Sequence, residues 1–272
     1  MTESMNFTQD LEGLVWNENS IIKDSKWYDK VFVFALGHCV YALDTNGHRK
    51  FVMNSRKQVK SLVSFKDELY VGTRSRVYNW SKRETHRLKA NSSYLCKHNG
   101  KMYAAGDAPH VIDISTGNKV FERTPNSTVY GLTSNGEDMC LSENFIDEDD
   151  GNIPKVNIHL FDPESGKFMT HEFKGSVMAL GEHDGTLYYS TGNHLYSGFM
   201  NKKVASSRDL IKAIHSDGQH MYVAGSGPTI DECIDGKLHF AANVGKMANG
   251  VWVTALTTHP RFDFVMRGIL KQ

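Results

Sequence analysis

The chain reads as all-β: a closed ring of small antiparallel sheets, four strands to a sheet. Seven sheets is the expected count and six the alternative. Three observations carry this expectation. A short apolar run, a tight polar turn and a second run carrying an aromatic recur along the whole chain. The recurrence is spaced by 30 to 48 residues, near the roughly 40 residues that a four-stranded unit needs. Five of the seven turns are Asn-Gly or Asp-Gly, which suits tight hairpins because Gly, and often Asn or Asp, tolerates positive φ.

The clearest copy is Val59 to Gly72, with its turn at Lys66-Asp67-Glu68. Aligned on the marker of the second strand, the copies are Phe32, Tyr70, Tyr103, Cys140, Tyr188, Tyr222 and Trp252. Their turns are Tyr28-Asp29-Lys30, Lys66-Asp67-Glu68, Asn99-Gly100, Asn135-Gly136, Asp184-Gly185, Asp217-Gly218 and Asn249-Gly250. Eight residues before the marker stands an apolar residue in six copies: Leu62, Leu95, Leu132, Leu180, Ile214 and Val244. The first copy has Asp24 there and is the poorest match. Just before the apolar residue the chain is often small, as at Ser61, Gly131, Ala179 and Ala213. Inner strands that converge on an axis require this, so the ring is a β-propeller.

Third strands follow, each with its own turn: Val40 to Gly47, Val111 to Gly117 and Leu160 to Gly166. Fourth strands follow those, at Arg49 to Met53, Lys119 to Arg123 and Phe168 to Phe173. Val40 to Gly47 resembles a pyrroloquinoline-quinone-type propeller repeat, Met102 to Val120 is similar to the Tyr-Val-Thr-Asn type, and Phe161 to Gly166 resembles the third strand of a kelch blade. The Trp that docks quinone-type blades and the Trp-Asp dipeptide of WD repeats are both missing. The resemblance therefore implies the fold and no subfamily function.

Residues 1–272 are expected to form one propeller domain. The last unit stops one strand short after Val251 to Leu256 and Arg261 to Met266, and Leu11 to Trp16 has strand composition without a blade of its own. Residues 11–16 are thus expected to close the ring and remove its exposed edges. Residues 142–155 form the one long insertion, expected as a protruding hairpin between the second and third strands of blade four.

Composition excludes several chemistries. The 31 basic and 31 acidic side chains balance, so no global field draws the chain to nucleic acid or a membrane. Met1 to Asp10 lacks a base and an apolar run, and no segment approaches the ~18 apolar residues of a membrane span. A cytoplasmic chain without membrane insertion is expected. Cys39, Cys96, Cys140 and Cys233 form no CxxC pair, so they read as small apolar residues rather than a disulfide framework or zinc site.

Among candidate sites, His110, His159 and His194 occupy equivalent third-strand positions. Blades diverge outward, so these cannot meet at one zinc ion and read as structural. The acidic run with Asp147, Glu148, Asp149 and Asp150 lacks the register of a calcium loop. It reads as a solvated arm and candidate contact patch. A second patch is basic: Arg74, Arg76, Lys82, Arg83, Arg87 and Lys89 face only Glu84, while Tyr78 and Trp80 are assigned to packing. No GxSxG elbow, phosphate loop or dinucleotide fingerprint occurs, and Gly225-Ser226-Gly227-Pro228 is a turn between strands.

Ten residues before the markers, on the inner strands, lie Ile22, Lys60, Ser93, Tyr130, Met178, Lys212 and Ala242. No carboxylate is among them. Lys60, Ser93, Tyr130, Met178 and Lys212 are the candidate binding residues at the channel mouth, suited to a peptide or an anionic ligand. The expectation is a non-catalytic protein-binding scaffold, a subunit or adaptor of a larger assembly, with no catalytic residues, metal or cofactor. Its partner would be another protein or peptide rather than nucleic acid. The alternative is a small-molecule hydrolase or lactonase working from the central channel.

Overall fold

The structure, a computed structural model, describes residues 31–43, 49–73, 76–80, 82, 84–86, 92–147, 153–199, 202–245 and 252–259. These form 24 strands, β1 to β24, in six four-stranded antiparallel sheets. Blade one holds β1 (Val31–Leu36), β2 (Cys39–Leu43) and β3 (Arg49–Asn54). Blade two is β4 (Val59–Phe65), β5 (Glu68–Thr73), β6 (Arg76–Asn79) and β7 (Glu84–His86). Blade three is β8 (Ser92–His98), β9 (Lys101–Gly106), β10 (His110–Asp113) and β11 (Lys119–Glu122). Blade four is β12 (Thr128–Ser134), β13 (Met139–Asp147), β14 (Ile153–Phe161) and β15 (Phe168–Lys174). Blade five is β16 (Ala179–His183), β17 (Thr186–Thr191), β18 (His194–Ser197) and β19 (Lys202–Ser206). Blade six is β20 (Ile211–Ser216), β21 (Met221–Gly225), β22 (Thr229–Ile234) and β23 (Lys237–Asn243). The remaining strand, β24 (Val253–His259), is the inner strand of blade one and pairs antiparallel with β1 from Val31↔His259 to Leu36↔Val253.

The expected count of seven therefore gives way to six among the described residues. Trp252 does not mark a second strand; it stands immediately before β24. The weak first copy and the truncated last copy are two parts of one blade. An open ring would leave the β1 edge with unpaired backbone groups, and pairing across the two ends of the ring removes that edge. The closing role assigned to residues 11–16 falls outside the described residues, and the closing position is filled by β24.

Two kinds of Asx-Gly turn join inner and second strands. Asn99 and Gly100, like Asp184 and Gly185, all take positive φ, the tight two-residue hairpin that matches strand twist. At Asn135 and Asp217 the side chain instead caps the turn. Asn135 Oδ1 accepts from the N–H of Glu137 and Asp138 (3.1 and 2.7 Å), and Asp217 Oδ1 from those of Gln219 and His220 (both 2.9 Å). Third-strand turns use the same device: Asp113 Oδ1 accepts from Ser115 N–H and Asp162 Oδ1 from Glu164 N–H, both at 2.8 Å. The longest repeat spacing comes from β13 and β14, which stay paired from Met139↔Phe161 to Asp147↔Ile153.

Apolar side chains do not gather in one centre. Among the described residues they form six clusters, one at each junction between neighbouring blades. Strands alternate their faces, so each sheet contributes one face to the cluster before it and the other to the cluster after it. At the closure, Phe32 of blade one meets Tyr222 of blade six edge to face, with ring centroids 5.0 Å apart. Tyr78 and Trp80 pack against the cluster of blades one and two, as expected.

Candidate functional site

Inner strands β4, β8, β12, β16, β20 and β24 surround a central channel of about 720 Å³. In five of them one residue is inserted at the same place, so that two residues oppose one on the second strand. The pairs Val59↔Thr73 and Ser61↔Gly72 leave Lys60 extra, and the same step leaves Ser93, Tyr130, Lys212 and Thr254 extra. Blade five has the equivalent arrangement just before β16, where Met178 N–H donates to Ser190 O (2.9 Å) and Ala179 faces Ser190. Bulges re-aim a side chain and bend the strand. Here they set a collar of six residues at the end of the channel where the inner strands begin.

Beyond the collar neighbouring inner strands approach closely at small residues. A Cβ on Gly131 would lie 2.4 Å from Leu180 Cβ, and one on Gly181 2.5 Å from Ile214 Cγ2. Leu62, Leu95, Leu132, Leu180, Ile214 and Leu256 stand at equivalent pairing positions and line the channel. Polar bonds tie the inner strands to one another. Leu95 N–H donates to Ser61 Oγ (3.0 Å), and Thr254 Oγ1 donates to Val59 O (2.8 Å). His98, His183 and His215 bond Ser134, Ser216 and Thr258 of the next blade at 2.8, 2.9 and 2.9 Å.

The two ends of the channel differ in charge. At the collar, Lys60 and Lys212 are half-buried, and the Lys212 ammonium lies 5.3 Å from the centroid of the Trp252 ring. Burial first, and then the charge of Lys212, pulls the Lys60 ammonium below its ordinary pKa, against an opposing pull from Asp107. Burial also lowers Lys212. Burial, with Tyr130 and Asp107 nearby, pushes the Tyr94 hydroxyl far above its usual range. At the hairpin end, Asp67, Glu182, Asp184 and Asp217 line the channel with Lys66 and Lys97. Two of those carboxylates serve their own turns: Glu182 Oε1 accepts from Gly185 N–H (2.6 Å), and Asp217 caps as described. Among the described residues no three His, Cys, Asp or Glu side chains converge closely enough to hold a metal ion.

A buried polar cluster lies away from the channel, between blades three and four. Arg123 Nε donates to Glu143 Oε1 (2.6 Å), while its other nitrogens donate to the carbonyls of Gly106, Ala108 and Ser127. Ser127 Oγ (2.7 Å) and the Thr124 N–H (3.0 Å) also donate to Glu143, and His159 Nε2 lies 2.9 Å from its Oε2. Burial raises the Glu143 pKa, but bonds from His159, Ser127, Arg123 and Thr124 outweigh it and hold the carboxyl at about 2. With both oxygens engaged this carboxylate acts as an interblade clamp.

The structure brings together some expected site residues and separates others. Lys60, Tyr130 and Lys212 line the channel. Met178 is half-buried at the collar and is not among the lining side chains; Ser93 holds its place in β8, its side chain outside the described ones. Ala242 does not belong to this set: it lies on outer strand β23, buried in the cluster between blades six and one. Its place is taken by Thr254, because the count back from Trp252 treated a pre-strand residue as a marker. Ile22 lies outside the described residues.

In the basic patch Arg74, Arg83 and Arg87 fall outside them too. Arg76 is exposed at the start of β6, and Lys82 pairs with Glu68 (2.8 Å). Asp147 ends β13, and Glu148, Asp149 and Asp150 are undescribed. His110, His159 and His194 occupy β10, β14 and β18 of separate blades. Cys96 and Cys140 are buried and Cys39 and Cys233 half-buried, all four as free thiols.

Sequence reasoning missed Thr254, Trp252, Tyr94 and the Arg123–Glu143 pair. A signal for Thr254 existed: Ala255-Leu256 repeats the small-then-apolar step of Ala179-Leu180 and Ala213-Ile214. No local pattern announces Arg123 and Glu143, which meet only because blades three and four are neighbours.

No family model and no curated protein sequence matches the chain. Solved structures do. The WD40 β-propeller domain of Doa1 is 12% identical, with a TM-score of 0.55 over 84% of this chain and 82% of that one. The computationally designed Ika8 protein is 13% identical, covering 84% and 83% with a TM-score of 0.47. A chain of the mitotic checkpoint complex is 14% identical, covering 71% and 83% with a TM-score of 0.45. At these identities the likeness is one of fold alone: the chain is a β-propeller of four-stranded blades, six among the described residues.

Proposed function

We propose that this propeller is a non-catalytic protein-binding module, a subunit or adaptor of a larger assembly, and that its partner engages the collar end of the channel. The observation that carries the reading is the convergence of Lys60, Lys212, Trp252, Tyr94 and Tyr130 on that end. Aromatic and cationic side chains are the anchors that dominate protein recognition, and bulges on five of the six interlocked blades help to set them on a rigid frame. Glu143, a fully buried carboxylate, is engaged in bonds between blades. Fold by itself assigns no chemistry, so the weight rests on the side chains.

Purification from the native host under mild conditions, with mass spectrometry of what accompanies the chain and metal analysis of the same sample, tests this. A stoichiometric protein partner is expected. A solitary chain carrying about one divalent ion would overturn the reading in favour of a channel hydrolase or lactonase.

A further inference from the structure

Two half-buried ammonium groups at one mouth are costly unless something offsets them. Lys60 belongs to blade two and Lys212 to blade six, the two neighbours of blade one, so Thr254 stands between them on the collar. The Thr254 hydroxyl donates to Val59 O (2.8 Å), next to Lys60 in the chain, and this fixes blade one against blade two. Across the channel, Tyr130 occupies the collar position of blade four, opposite blade one, and Tyr94 borders the channel beside it on blade three.

Neither lysine forms an ion pair among the described residues. Asp107, exposed at the rim, offsets part of the Lys60 charge, while among the described residues burial is what acts on Lys212. The other end of the channel carries four carboxylates against two lysines among the described lining residues, so the collar end is the basic one and the hairpin end the acidic one.

We propose that the collar is an oxyanion receptor: a carboxylate or phosphate on a side chain of the partner protein enters between Lys60 and Lys212 and packs against Tyr94 and Tyr130. This rests on the binding-module reading and adds the chemical class of what is bound. The lysines supply N–H donors and charge, and partial exclusion of water strengthens both. The tyrosine rings form the wall against which the stem of the acidic side chain lies, and the Lys212 position is steadied by the Trp252 ring. A cationic segment is rejected at this end by the same charges.

The test uses the full chain and fluorescein-labelled twelve-residue peptides of one scaffold that differ at the central residues: glutamates, phosphoserine, unmodified serine, or lysines. Binding by polarisation is expected for the glutamate or phosphoserine peptide and not for the serine or lysine peptide; which acidic peptide binds more tightly tells carboxylate from phosphate. Lys60→Gln and Lys212→Gln should each weaken it roughly tenfold or more. Lys66→Gln with Lys97→Gln, at the opposite end, should leave it unchanged.

Acetylation of the wild-type chain, mapped by mass spectrometry, gives a readout that needs no variant: Lys60 and Lys212 should be protected by the acidic peptide and Lys66 should not. No binding by either acidic peptide, or binding indifferent to both substitutions with no protection, overturns the proposal. A partner recovered from the host whose binding survives Lys60→Gln and Lys212→Gln also overturns it while leaving the binding-module reading in place. The absence of any partner strikes the module reading itself.

Discussion

Arg123 Nε lies 2.6 Å from Glu143 Oε1 with both side chains almost wholly buried, and the pair joins blade three to blade four. Charges so placed are compensated by every donor around them, and removing one partner strands the other in a low-dielectric site.

Glu143→Gln should therefore destabilise the chain by about 3–5 kcal/mol, because Arg123 would be left buried without its counter-charge. Urea unfolding reads this directly. Replacing both partners together, as Arg123→Met with Glu143→Leu, should cost less than the single change. A single variant within about 0.5 kcal/mol of wild type would show that the pair is not a clamp.

Acid should probe the same carboxyl. Its folded pKa of about 2 lies below the ordinary 4.5, so its contribution to stability is present above the unfolded value and lost as the pH falls through the folded one. The size is about 3 kcal/mol, disappearing between roughly pH 4.5 and pH 2. Stability curves of wild type and Glu143→Gln should converge over that window; parallel curves would exclude the linkage.

Closure predicts a second cooperative effect. A chain ending before Val253 loses the inner strand of blade one and the partners of Val31 to Leu36. Such a chain should unfold less cooperatively and self-associate through the bared β1 edge. A synthetic peptide of residues 252–259 added in excess should restore the melting transition. An unaltered melt of the shortened chain would show that β24 is dispensable.

Gly131 and Gly181 mark where neighbouring inner strands touch. Gly131→Ala, whose Cβ would stand 2.4 Å from Leu180 Cβ, should cost about 1–3 kcal/mol as the blades are forced apart. Gly131→Ala with Leu180→Gly, which removes the Cβ that the new methyl meets, should recover part of the steric loss, a coupling that a double-mutant cycle measures. Additive losses would place the strain elsewhere.

Much of this architecture is legible in local chemistry. Asn99-Gly100 and Asp184-Gly185 dictate tight turns wherever they stand, and alternation of apolar residues beside them marks strand faces with no knowledge of the rest of the chain. Lys60, Tyr130 and Lys212 could be placed on the collar because each lies at a constant distance from a marker within its own repeat. The error at Ala242 came from the one repeat whose strands are divided between the two ends of the ring.

What the sequence determined by itself is the repeating unit: strand, turn and strand, set by residue-level conformational preference and a two-residue period. What only the tertiary structure decided is the number of blades, the strand that closes them, and the company each polar side chain keeps. Those are long-range outcomes. Whether Val253–His259 begins a seventh blade or completes the first depends on which edge is free when the ring comes round, and Arg123 meets Glu143 only across a junction that no single repeat contains.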